Sequence, residues 1–140
     1  MSVPVNQRTQ GKLEVCTKAH DLCVYTLQIT KNKNVFVPEY QDALTNKIVQ
    51  LAIDIHAEVW SANNVLVKSP ETLKYRRRLQ ESAAIKCNVL LAMIDIAWSI
   101  FHLSGKRVRF WAGKVIETRN LIRAWSSSDA ARYKNYRDVG

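Results

Sequence analysis

Six cations, Lys106, Arg107, Arg109, Lys114, Arg119 and Arg123, stand against a single acid, Glu117, within 18 consecutive residues. Side chains of this type act by charge: they hold phosphates or carboxylates in place without forming or breaking a bond. Arg107 and Lys114, seven residues apart, fall nearly above one another on a helix and define a basic strip outside the Val115/Ile122 seam. A second run, Arg76, Arg77 and Arg78, is less focused, because consecutive helical residues splay over about 200° and cannot all meet one ligand. Arg77 with Glu81, and Glu71 with Lys74, have the spacing of local ion pairs that would remove part of this charge. If the two helices lie side by side, Arg76, Arg77 and Arg78 join Arg119 and Arg123 in one patch. These nine cations are the candidate binding residues.

Other chemistries find little support. A bundle core can hold a di-metal centre, but that centre needs Glu-x-x-His on two helices, and the chain has none. Its nearest approach is Asp54, His56 and Glu58, where the two carboxylates share a face and His56 points elsewhere, so a solvated acidic face is expected and no metal. His20 precedes Asp21 and falls on an apolar stripe, where a core histidine with one hydrogen bond is the expectation, since no nucleophile signature accompanies it. His102 has a weaker case still. Asp95 stands alone within the apolar part of its helix, facing either solvent or an interface. No phosphate loop, nucleophile elbow or Cys-x-x-C pair occurs, and neither catalytic residues nor a cofactor are expected.

The elements that must carry these residues are helices. The chain has 140 residues, 47% of them hydrophobic, with four glycines and three prolines, which suits one domain built of long helices. Residues 71–140 hold 14 Lys/Arg against 6 Asp/Glu, and residues 1–70 hold 7 against 6, so the second half supplies nearly all of the net +9. A field this one-sided favours a polyanionic partner over a neutral small molecule. Cys16 and Cys23 sit seven residues apart on one helix, about 10 Å along its axis, and cannot bridge. With an odd third thiol, Cys87, and no signal pattern, a reducing cytoplasmic setting is expected. No bilayer-spanning run is expected either, because Asp95 interrupts the tempting stretch 89–101.

Residues 1–11 read as a flexible N-terminal arm, 12–126 as the bundle domain and 127–140 as a basic C-terminal tail, either disordered or with a short helix capped by Ser128 or Asp129. The first helix, 12–31, has Leu13, Cys16, His20, Cys23 and Leu27 on one stripe. The second opens at Pro38 and carries Leu44, Ile48, Leu51, Ile55, Val59 and Ala62. Ser69, Pro70 and Glu71 are a start signal for the third, which reaches about 103 with Ala83, Cys87, Leu90, Ile94, Ala97 and Phe101 on its seam. Leu91 and Trp98 form a second apolar line on this helix, enough to pack against another chain. Gly105 suits a C-terminal cap, and the fourth helix, 106–126, turns Val108, Trp111, Val115, Thr118, Ile122 and Trp125 inward. An all-α, antiparallel up-down four-helix bundle closes these faces.

Several segments resemble a known family. They are Lys18-Ala19-His20-Asp21-Leu22, the long apolar second helix, the run from Leu90-Leu91 to Trp98, and Val115-Ile116-Glu117 through Leu121-Ile122-Arg123-Ala124-Trp125. Together they are similar to the four-helix-bundle proteins that include the accessory variability determinant of diversity-generating retroelements and the proteins encoded in 23S ribosomal RNA intervening sequences. That family often has a glycine pair before the last tryptophan, where this chain has Arg123-Ala124, and the tail with Tyr133 and Tyr136 is a further departure.

The resemblance implies a non-catalytic homo-oligomer, a pentameric ring or barrel. Such a ring would bind template RNA, or an RNA/DNA hybrid, and a reverse transcriptase during mutagenic cDNA synthesis. The nine cations would then touch phosphates or the acidic surface of the polymerase. Five copies would carry about five times the single-chain charge, enough to hold a phosphate backbone without reading its sequence. The alternative is the intervening-sequence type, a protein-interaction module docking an acidic partner through the same face.

Overall fold

A computed structural model describes residues 5–137, with side chains from 14 to 136. The described residues form helices and connections, with no strand among them: α1 (Val5–Thr30), α2 (Asn46–Asn64), α3 (Pro70–Phe101), α4 (Gly105–Arg132) and the short α5 (Lys134–Arg137). Helix α1 packs on α2 and α4, and α3 packs on the same two, so the four long helices enclose one core.

The seams expected on the last three helices bury, except that Leu51 of α2 is half-buried and Ala52 beside it lies inside. Ile48, Ile55, Val59 and Ala62 of α2 lie inside, as do Ala83, Cys87, Leu90, Ile94, Ala97 and Phe101 of α3 and Val108, Trp111, Val115, Thr118, Ile122 and Trp125 of α4. Their steps of three and four place each set on one helix face, and removing that face from water is the main force holding the helices together. Phe36, from the connection between α1 and α2, closes one end of the core. Its ring lies 4.9 Å from Phe101 and 6.1 Å from Trp111.

Helix α1 departs from expectation. It begins at Val5, so the stretch read as an arm is helical from that residue on, and residues 1–4 lie outside the described part. The side chain of Leu13 also lies outside it. The buried line runs through Val15, Cys16, Ala19, Leu22, Cys23, Thr26 and Thr30, while His20 and Leu27 are exposed. Two threonines can occupy core positions because each hydroxyl donates to a carbonyl four residues back, Thr26 to Leu22 and Thr30 to Thr26, at 2.8 and 2.7 Å. Thr26 also accepts the indole N–H of Trp111 at 3.0 Å, so no polar atom of that pair is stranded.

The ends of the other helices follow from local chemistry. Pro38 opens a 3-10 turn, Pro38–Tyr40, and a π turn, Gln41–Thr45, before the regular α2. The wider turn brings Leu44 and Thr45 into the core ahead of Ile48. Helix α3 starts as expected, with the Ser69 hydroxyl accepting from the Thr72 N–H and the Thr72 hydroxyl accepting from the Ser69 N–H. Its C-cap is His102, left-handed at φ 56° and ψ 43°, rather than Gly105. Gly105 instead begins α4, behind Ser104, whose hydroxyl accepts from the Arg107 N–H at 3.1 Å. Helix α4 then runs to Arg132, so Ser128 and Asp129 lie inside it and cap nothing. The tail is drawn in because Asp129 continues the seam of Thr118, Ile122 and Trp125 and finds a cation there.

Helix α3 is apolar on two opposite faces. Ile85, Val89, Ala92, Ile96 and Ile100 recur at steps of four, three, four and four, and all are exposed, at about 140° from the buried seam. This stripe replaces the expected line of Leu91 and Trp98, which fall at the flanks of the seam, Leu91 half-buried and Trp98 exposed. Asp95 is exposed. It does not break the run as expected, for α3 holds an 18-residue window of mean hydropathy 1.7, long and apolar enough to cross a membrane, one third of it buried in the fold.

Candidate nucleic-acid interface

The candidate cations divide in space, and the first correction is Arg76. It is 2% exposed, with Nε 3.1 Å from the Asp129 carboxylate. The approach is off the N–H line, so this is a close ion pair and not a hydrogen bond. The same carboxylate oxygen accepts from Gln80 Nε2 at 2.8 Å, and the guanidinium lies over the Trp125 ring at 4.9 Å. Arg76 is thus a structural group that ties α3 to the end of α4, out of reach of any surface ligand. Arg77 and Arg78 are exposed.

On α4, rotation of about 100° per residue separates the cations into sides. Arg107 and Lys114 fall toward α1, where the Lys114 ammonium sits 5.5 Å from the centre of the Tyr25 ring. Arg119 and Arg123 fall toward α3. The Arg119 guanidinium donates to Asn88 Oδ1 at 2.9 Å, and Arg123 shares a groove of about 620 Å³ with Arg77. Lys106 and Arg109 point outward between these flanks. Of the expected union of the α3 run with Arg119 and Arg123, the groove brings together Arg77 and Arg123, whereas Arg76 lies beneath it.

The charge of these groups is left open. Among the described residues the ion pairs are Lys18 with Glu117, His20 with Asp21, Arg76 with Asp129 and Lys86 with Glu58. Glu117, the one acid within the basic run, is turned to Lys18 on α1 at 3.2 Å. The pairs expected between Arg77 and Glu81 and between Glu71 and Lys74 do not close. Eight cations, Arg77, Arg78, Lys106, Arg107, Arg109, Lys114, Arg119 and Arg123, consequently have no carboxylate at ion-pair distance among the described residues. Arg119 is held by amide oxygens, which fix its position without cancelling its charge.

Two aromatic residues at this surface are absent from the expected set. Phe110 is 56% exposed on α4. The half-buried Tyr25 meets it edge to face at 5.2 Å and 66°, and the Lys114 ammonium lies 4.8 Å from its centre. Burial pushes the Tyr25 phenol up, with the neighbouring Arg107 guanidinium pulling the other way. The signal that could have found Phe110 is its place one residue off the Val108/Trp111 seam, with Arg109 beside it and Lys106 and Lys114 four residues away on either side.

The remaining reactive groups are occupied or muted. His20 stands at the surface, its Nδ1 3.3 Å from Asp21, and its ring 5.8 Å from that of His56. Burial, and then the nearby His20, push the His56 imidazole down from its ordinary value, which favours its neutral form. Asp54 accepts from Gln50, while Glu58 faces α3, where it binds Ser82 and Lys86, so these two carboxylates do not form the open acidic face expected of them. Among the described residues no group of three His, Cys, Asp or Glu side chains could hold a metal ion. The three cysteines are free and buried, and burial pushes the Cys87 thiol up to about 12, far from the thiolate that nucleophilic chemistry needs.

No family model, curated protein or solved structure matches this chain.

Proposed function

We propose that this chain is a non-catalytic, oligomeric accessory protein that holds nucleic acid by charge, in the manner of the retroelement accessory proteins it resembles, beside a reverse transcriptase in the cytoplasm. One observation carries the reading: eight guanidinium and ammonium groups of α3 and α4 face outward or flank grooves with no carboxylate at ion-pair distance among the described residues. Folding does not require such an arrangement, since like charges held together repel. A polyanion that releases its counterions on binding repays that repulsion.

The finer architecture belongs to the same proposal. Trp111 meets Thr26 while Thr118 meets Lys18, and Arg119 meets Asn88 while Asp129 meets Gln80. The numbering of α4 rises as that of α1 and α3 falls, which supports an antiparallel up-down bundle. The outward stripe of Ile85, Val89, Ile96 and Ile100 supports self-association, because a helix apolar on both faces is stable when both are covered. A pentameric ring would bring five basic faces to one assembly. The same stripe favours a second reading, a protein-interaction module docking a partner of another kind, and an rRNA locus rather than a neighbouring reverse transcriptase gene would point to it.

The test is a charge-reversed face. Lys106→Glu, Arg107→Glu, Arg109→Glu and Arg123→Glu change four exposed side chains, so the variant should keep its helical circular dichroism and its melting transition. Its affinity for a 15-nucleotide RNA at physiological salt should fall by about a hundredfold or more. An unchanged affinity in the folded variant overturns the reading.

A further inference from the structure

Between the start of α4 and the C-terminal part of α1 lies a groove of about 560 Å³, lined by Tyr25, Ser104, Lys106, Arg107, Arg109 and Phe110. Its size falls within the roughly 300–1,000 Å³ of small-ligand clefts. The lining has three cations and no acid, and its largest apolar member, Phe110, leaves more than half of its ring open to water. Charge alone accounts for the cations but leaves the open ring unexplained, because a polar residue at this helix position would cost the core nothing. The ring is also held in place, with Tyr25 against it edge-on and the Lys114 ammonium over it. A pre-positioned aromatic face among cations suits a ligand that is itself a flat ring joined to a phosphate.

We propose that this groove is a stacking site for an unpaired nucleobase, and that the nucleic acid bound by the basic face is therefore single-stranded where it crosses the start of α4. Phe110 takes the base on its face, and Lys106, Arg107 and Arg109 take the phosphates on either side of it. In a duplex each base is already stacked on its neighbours, and its faces are not free to meet a side chain. An acidic protein surface would satisfy the three cations, but it would answer the ring only if it also set an exposed aromatic side chain among its carboxylates, whereas every nucleotide carries a flat ring beside a phosphate. Because stacking is available to every base, the site gives preference for single strands with little preference for sequence. The inference rests on the nucleic-acid reading above and adds to it the strandedness of the ligand and the residue that senses it.

The experiment uses the full chain with three probes of equal phosphate number: a 15-nucleotide oligo(rA), an abasic ribose-phosphate strand and an RNA duplex. The wild-type protein should bind oligo(rA) about tenfold tighter than the abasic strand and tighter than the duplex. Phe110→Ala should lose that margin while binding the abasic strand as before and keeping its salt dependence; Phe110→Trp should preserve the margin. If Phe110→Ala leaves the ratio of oligo(rA) to abasic affinity unchanged, the stacking site is wrong and the charge reading stands. If the substitution changes the mass of the protein in solution and not the ratio, Phe110 belongs to a contact between copies, and the proposal is overturned. If wild-type protein binds none of the three probes, both readings fall together.

Discussion

Replacing Asp129 by alanine is expected to cost the fold about 3–5 kcal/mol, the range for removing one partner of a buried ion pair. Arg76 would keep its charge in a site where 2% of its surface meets water, and Gln80 would lose the acceptor for its amide. The stacked Trp125 ring would remain, but a desolvated cation–π contact is worth only about 2 kcal/mol or somewhat more and does not replace a carboxylate. Removing both charges at once is a different case, because two well-packed apolar groups need no compensation. Arg76→Met with Asp129→Leu should return part of the lost stability, the remainder staying with the buried Gln80 amide, which still lacks its acceptor. Urea unfolding of the two variants checks this, and a single-variant loss under about 1 kcal/mol would mean that the guanidinium finds water when its partner is gone. The last turns of α4 should loosen first, since Asp129 is what draws them onto α3.

Trp111→Ala should cost a similar amount, about 3–5 kcal/mol, by a different mechanism. The indole is fully buried where α4 meets α1 and the connection that carries Phe36. Deleting it removes apolar area, leaves a cavity that three packed elements cannot all collapse into, and strips Thr26 of a donor. Trp111→Phe keeps most of the packing and loses the hydrogen bond, so a smaller cost of about 1–2 kcal/mol is expected. A Trp111→Ala protein within about 1 kcal/mol of wild type would show that this part of the core repacks freely.

Which parts of this fold could be read from the sequence depends on how each helix buries itself. Helices α3 and α4 were legible because their expected seams run at unbroken steps of three and four and are apolar apart from a single threonine, Thr118. Helix α1 was not, since its buried line passes through Ala19, Thr26 and Thr30, and the threonines become core residues through hydrogen bonds to carbonyls one turn back. His20 fitted the apparent stripe and sits outside. Arg76 and Asp129 are each a surface residue by type; only their meeting across α3 and α4 makes them interior, and Asp129 falls in a segment that read as tail. The total of the basic charge was legible as composition. Its division into an α1 flank and an α3 flank was not, because that depends on how α4 is rotated against its neighbours. Phe110 stands in the sequence as an aromatic off the seam between Lys106 and Lys114, but the Tyr25 ring that packs on it comes from another helix.

The eight open cations should bind a polyanion by displacing its counterions, and salt reports on that directly. Affinity for a 15-nucleotide single-stranded RNA should be measured from about 50 to 200 mM salt. Each phosphate neutralised on a single strand contributes about −0.7 to the slope of log affinity against log salt, so engagement of about four to seven of the eight cations predicts a slope between about −3 and −5. A slope near zero, with binding intact, would contradict the account.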